Sequence, residues 1–456
     1  MSDPDQHGAS HQFAVNTLTP ARLVRISNLA LPMIAAALAT NVMTFVDSLM
    51  VAQLGEATLG GVGLAGQLFF LLLAVSLGLS GSIQAMVARR VGEAQLAATG
   101  SVLNVGLLMS LGLGAVLTLI GYLVAQPILK FVNADAALVE QGLTYLQTRL
   151  PSLLLMSLTL TFRSYWVGVS LAKWSMVSIV ALSLANILFN YALIFGHFGA
   201  PQMGVAGAGL GSTLAVAVGL LINFVLALKL AFRNGFLRAL PAPATVRNIV
   251  SVASPESMRQ VLFAAGVVLL YVLIGQLGTQ ALAGFHVIIS ICLIAYMPHI
   301  GIAGAATTLV GEALGRRDVL DASAWGWQIS NTGLMLLGGF AVVVVVFAEG
   351  ILSLFLADPT TRVLATVPLQ LAVVAHVMDG YAKILAGAMI GAGATRLALQ
   401  LTLLPQYLLL LPMLAGVVWL GWGLASAMAI FLLVTAITAG LFAWQWHQRQ
   451  WVGVVL

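Results

Sequence analysis

The chain holds 456 residues, of which 61% are hydrophobic and only 7% charged, at a net charge of +5. A mean hydropathy of +1.04, set against the roughly 25% charged content of soluble domains, excludes a soluble enzyme and indicates a polytopic membrane protein. The one cysteine, Cys292, excludes an intrachain disulfide and a thiolate metal cluster, so redox chemistry is not expected.

The first 20 residues are polar and carry no apolar core ahead of a cleavage site, so the first span itself is expected to direct insertion. Apolar runs broken by charge, glycine and proline then predict twelve spans, at about 28–54, 63–88, 102–126, 139–161, 174–196, 205–231, 248–275, 284–310, 326–348, 362–388, 397–418 and 422–446. With both termini inside, the inner segments hold fourteen cations, among them Arg22, Arg25, Arg89, Arg90, Arg163, Arg316, Arg317 and Arg449, and the outer loops only Lys130 and Arg362. Positive loops stay in the cytoplasm, so both termini are expected there, and the basic residues read as topology signals rather than a nucleic-acid surface. Trp444, Trp446 and Trp451 are expected as interface anchors at the inner end of the last span.

The connection around Arg233-Asn-Gly-Phe-Leu-Arg-Ala-Leu-Pro-Ala-Pro has the proline, glycine and charge of a linker. It divides the chain into an N-terminal tail (1–27), a six-helix lobe (28–231), a linker (232–247), a second six-helix lobe (248–446) and a C-terminal tail (447–456). A shift of 223 residues superposes Pro32 on Pro255, Gln53-Leu54-Gly55 on Gln276-Leu277-Gly278, Gly92 on Gly315 and Gly168 on Gly391. Equivalent spans are six positions apart, an even offset that preserves orientation, so the repeat is parallel, as in transporters built from two six-helix lobes. Alternating access by rocking of the lobes is the expected consequence.

Ionisable and amide groups inside spans need a reason, because they are costly in a bilayer core. In the first span Thr40, Thr44 and Asp47 share a helix face at i, i+4 and i+7. The 223 shift puts Leu270 opposite Asp47, so the acid belongs to one lobe only; an interfacial acid that snorkels outward is the bland alternative. In the fifth span Ser183, Asn186 and Asn190 form a second polar face, fit either for helix-to-helix hydrogen bonding or for holding a carboxyl or Na⁺. Glu256, Arg259 and Gln260 open the seventh span, where a local ion pair is the simplest reading. His286 and His299 read as isolated, without metal-pair spacing. The tenth span carries His376, Asp379 and Lys383 on one face, either a self-neutralised pair or a substrate or proton site. No Gly-rich phosphate loop with its lysine, His-Glu-x-x-His or Gly-x-Ser-x-Gly occurs, so enzyme chemistry is not expected.

Four stretches in order, Phe45-Val-Asp-Ser-Leu-Met-Val-Ala-Gln-Leu-Gly55, Ala88-Arg-Arg-Val-Gly-Glu93, Asn186-Ile-Leu-Phe-Asn-Tyr-Ala-Leu-Ile-Phe-Gly196, and Asp379 followed by Gly387-Ala-Met-Ile-Gly-Ala-Gly-Ala-Thr-Arg396, resemble the multidrug and toxic compound extrusion (MATE) transporters of the NorM-like or DinF-like kind. The resemblance implies an all-α fold of twelve transmembrane helices in two parallel six-helix repeats, arranged as V-shaped lobes. It also implies efflux of cationic amphipathic molecules in exchange for H⁺ or Na⁺, from within membrane lipid, with no cofactor, and a monomer is expected. Asp47 then matches the coupling aspartate, with Asn186 and Asn190 at the amide positions around it. Asp379 matches the second-lobe acid, with His376, Lys383 and Glu256 as companions for coupling or substrate binding. Counting back from Gln276-Leu277-Gly278 puts Phe263 where the NorM-like branch has a seventh-span glutamate. H⁺ is therefore favoured, and Na⁺ at Asp47 or Asp379 is the alternative. A flippase for a lipid-linked amphipathic precursor is the runner-up.

Overall fold

The computed structural model describes residues 18–133, 135–238, 243–355 and 359–452, and all regular structure among them is helical. In chain order the helices are α1 (Pro20–Ala52), α2 (Glu56–Gly92), α3 (Leu96–Val132), α4 (Ala136–Arg149), α5 (Ser152–Gly168), α6 (Ala172–Phe195) and α7 (Gly204–Leu230). Then follow α8 (Pro243–Gly275), α9 (Thr279–Gly315), α10 (Val319–Val346), the short α11 (Ala348–Ser353) and α12 (Pro359–Gly391). A broken span comes next, in which α13 (Thr395–Leu404) and α14 (Leu411–Trp419) flank a π-helical turn, Pro405–Leu410; α15 (Leu424–His447) is last. Eleven of these segments are long and apolar enough to cross a membrane. The α4–α5 pair supplies a twelfth crossing interrupted at Pro151, whose ring cannot donate the next helical hydrogen bond.

Several sequence expectations shift. Arg163 lies inside α5 rather than in an inner loop, because the helix continues past the charge to bury Tyr165 and Trp166. The Trp166 indole donates to Asn223 Oδ1 at 2.9 Å, a polar contact that a hydropathy window does not register. Of the three expected anchors only Trp444 is exposed: Trp446 and Trp451 are buried and stack at 4.3 Å. The first helix begins at Pro20, so part of the expected N-terminal tail is helical, and residues 1–17 of that tail lie outside the described residues.

The duplication is written into backbone geometry. Gly55 and Gly278 open α2 and α9 at φ, ψ of 111, 165 and 107, 166, left-handed space that a Cβ disfavours. The same bonds lead into each: Leu54 N–H to the Val51 carbonyl at 3.0 Å and Leu277 N–H to the Ile274 carbonyl at 3.0 Å. The Gln-Leu-Gly motif recurs because both turns need a glycine at that point. Both helices are 37 residues long and end in the same turn, with Ala94 and Arg317 at φ 57 and 60.

The chain divides into two compact units: residues up to Leu31 with Leu262 onward, and Pro32–Val261. Both boundaries between these units fall inside helices, α1 and α8. In the Pro32–Val261 unit, α5 packs on α2, α3 and α7, and in the other unit α12 packs on α9, α10 and α15. The second contact is close: a Cβ at Gly387 would lie 2.5 Å from the Ala303 carbonyl oxygen, and Thr307 Oγ1 donates to the Gly387 carbonyl at 2.8 Å. Gly387→Val should force α9 and α12 apart and cost about 1–3 kcal/mol, read as a lowered unfolding temperature in detergent.

The start of α1 is tied to its unit by charge. Asp321 accepts from Arg22 at 2.8 Å, from Arg316 at 2.9 Å and from the Trp325 indole at 3.0 Å. Arg25 pairs with Glu312 at 2.7 Å, and the Arg22 guanidinium lies 3.8 Å above the Trp325 ring. Arg22 and Arg25, read from sequence as topology signals, are thus also structural ligands. Asp321→Ala should free this segment, raising amide hydrogen exchange over residues 20–31 while leaving α9 and α12 protected; equal exchange in both proteins would contradict that role.

Candidate functional site

In the Pro32–Val261 unit, Asp47 near the end of α1 meets the amide face of α6. Asn190 Nδ2 donates to Asp47 Oδ1 at 2.8 Å. Asn186, with its amide nitrogen turned toward the carboxylate, donates to Oδ1 at 2.7 Å and Oδ2 at 3.0 Å while its oxygen accepts from Ser212 Oγ at 3.1 Å. Turned the other way, its nitrogen donates to Ser212 Oγ at 3.1 Å and its oxygen accepts from Asn190 at 3.4 Å. Asn186 and Asn190 are 2% and 1% exposed, whereas Asp47 is half-buried, so the acid meets a prebuilt amide wall. Room for that wall comes from α7: a Cβ at Gly211 would run into the Asn190 amide.

The three residues expected to act together are thus brought together. The rest of the α1 stripe is not: Thr40 and Thr44 are exposed, and their hydroxyls donate to the Ala36 and Thr40 carbonyls, both at 3.0 Å, on their own helix. Arg149, at the end of α4, has its guanidinium 4.7 Å from the Phe69 ring centre.

Glu256 and Arg259 also belong to the Pro32–Val261 unit. The guanidinium donates to both Glu256 oxygens, at 2.8 Å through Nε and 2.5 Å through Nη2, and Gln260 adds a donor at 2.9 Å. With 1% exposure at Glu256 and 8% at Arg259, the carboxylate is saturated by its own helix.

In the other unit, α12 carries His376, Asp379 and Lys383. Lys383 Nζ lies 2.7 Å from Asp379 Oδ2, with 20% and 21% of the two side chains exposed. The ammonium also stands 4.7 Å from the Phe263 ring centre and 4.9 Å from that of Tyr296. His299, expected to be isolated, is not: its ring is 5.5 Å from His376 and 4.3 Å from Tyr296. It is 1% exposed, and both its nitrogens and His376 Nε2 lack hydrogen-bond partners among the described residues. Packing of α9 on α12 creates this neighbourhood, and a lone histidine 77 residues from His376 in sequence gives no spacing signal for it. The described residues contain no cluster of three or more histidine, cysteine or acidic side chains able to hold a metal ion.

Comparison with known proteins gives one consistent result. The MatE family model matches residues 32–192 and 255–415, two segments whose starts and ends are each offset by 223 residues. Among curated relatives, the probable multidrug resistance protein NorM of Pseudomonas putida is 26% identical over 94% of this chain and 96% of its own. Multidrug resistance protein PmpM of Pseudomonas aeruginosa is 27% identical over 86% of this chain and 83% of its own. A crystal structure of a MATE protein in a bent conformation superposes with a TM-score of 0.85 at 20% identity, covering 96% of this chain and 97% of that one.

Proposed function

The chain belongs to the MatE family, and from that we propose that it is a secondary active exporter of organic cations, driven by H⁺ antiport through Asp47. The names of the NorM and PmpM relatives support multidrug efflux. The observation that carries the coupling assignment is Asp47 set against two buried amides, Asn186 and Asn190. An ionised carboxylate only accepts hydrogen bonds, whereas a protonated one also donates. Asn186 can serve both forms: its nitrogen faces the carboxylate when Asp47 is charged, and its oxygen accepts the carboxyl proton when Asp47 is neutral, with Ser212 and Asn190 partnering the amide in that orientation. Proton binding thereby changes how α1 is held on α6. Linkage requires that H⁺ and substrate bias the inward- and outward-facing states oppositely.

Phe263 in place of an acid leaves Asp379 with Lys383 as its cation, which favours H⁺ over Na⁺ as the coupling ion. Asp379, with His376 beside it, attracts the cationic amphipathic substrate. The protein acts as a monomer in the bacterial inner membrane with both termini cytoplasmic, in keeping with the excess of basic residues in the inner loops. Counterflow of ethidium in proteoliposomes tests the class: preloaded unlabelled cation should accelerate ethidium uptake. Absence of counterflow together with translocation of a lipid-linked anion would replace this reading with a flippase.

A further inference from the structure

We propose that Phe263, Tyr296 and Asp379 form a cation cage that Lys383 occupies as a tethered, exchangeable ligand, and that the transported organic cation takes the place of the Lys383 ammonium. This rests on the reading above that the chain exports organic cations, and it identifies where and how one would bind.

A carboxylate with two aromatic faces is the chemistry that recognises a delocalised or quaternary ammonium. Here it surrounds an ammonium already, at 2.7 Å from Asp379 Oδ2 and 4.7 and 4.9 Å from the two rings. An acid and a lysine at i and i+4 would pair on any helix, but this cage is not the work of one helix. Phe263 comes from α8, Tyr296 from α9, and Asp379 and Lys383 from α12, so three elements converge on one positive charge.

Two features make the occupant replaceable. The pair keeps 20% and 21% side-chain exposure, so a ligand can reach it, and the ammonium hangs on a flexible four-carbon stem that can swing out. The rest of the cage is fixed: the Tyr296 ring stands edge-on to buried His299 at 78°, and His299 lies against His376. Charge balance makes the exchange one for one. A second cation beside an intact ion pair would leave a net positive charge in apolar surroundings, which is costly, whereas substitution keeps Asp379 neutralised. The cage therefore selects a monovalent cation with apolar faces and rejects anions.

Binding of tetraphenylphosphonium to the purified full-length protein, measured by equilibrium dialysis at mildly alkaline pH, tests this. Lys383→Met keeps the apolar stem and vacates the cage, and it should bind the cation at least about tenfold tighter, the effect of one added cation–π and carboxylate contact. Lys383→Arg should bind as wild type does, and adding Asp379→Asn to Lys383→Met should abolish the gain. A folded Lys383→Met variant with unchanged or weaker binding would overturn the cage. Reductive methylation of wild-type Lys383, followed by mass spectrometry, reads displacement directly should that variant not fold. Saturating tetraphenylphosphonium should raise the labelling, and unchanged labelling overturns the exchange. Failure of wild type and every variant to bind the cation would instead overturn the organic-cation reading and the cage with it, whereas binding without displacement overturns the cage alone.

Discussion

Asp47→Asn should yield a folded protein whose ΔpH-driven ethidium efflux from proteoliposomes falls to the leak rate of protein-free vesicles. The substitution keeps an acceptor for Asn190, which now donates to Asp47 Oδ1 at 2.8 Å, and Asn186 need only turn its oxygen toward the new amide. Loss of stability should therefore stay near the value of one hydrogen bond, about 1 kcal/mol. What disappears is the exchangeable proton, so transport should stop while substrate still binds. Undiminished efflux would remove Asp47 from the mechanism. Asn186→Leu offers a graded companion: it removes the group able to serve both protonation states and should slow efflux while leaving Asp47 able to titrate.

Glu256→Ala should produce the largest loss of stability without touching the coupling site. It strips a bidentate carboxylate from an arginine that is 8% exposed, and removing one partner of a buried pair typically costs about 3–5 kcal/mol. The double variant Glu256→Leu with Arg259→Met should recover most of the unfolding temperature, because two apolar side chains of similar volume often replace a buried ion pair at little cost. That double variant should also retain ethidium efflux. Loss of efflux at wild-type stability would move Glu256 from the scaffold into the mechanism.

These two acids show what a linear chain discloses. Asp47 and its amides were legible because each lies at helical spacing within a single span, and because Gln53-Leu54-Gly55 fixes the register between repeats. The Glu256–Arg259 pair was legible for the same reason, both partners lying on one helical turn. His299 was not, since its meeting with His376 depends on which face of α9 packs on α12, a matter settled by close approaches such as Gly387 on Ala303. The Phe263 and Tyr296 rings around Lys383 escaped for the same cause: Phe263 registered in sequence only as a missing glutamate. Nor does composition reveal the π-helical turn at Pro405–Leu410, where the Tyr407 hydroxyl donates to the Leu262 carbonyl at 2.7 Å and Gln406 packs over Gly266.

Proton movement during transport tests the central claim most directly. Vesicles loaded with a pH-sensitive dye and free of Na⁺ should report a proton flux opposite to the imposed flux of ethidium. That flux should vanish in Asp47→Asn and be indifferent to added Na⁺. Ethidium transport that leaves internal pH unchanged and requires a Na⁺ gradient would contradict H⁺ antiport through Asp47.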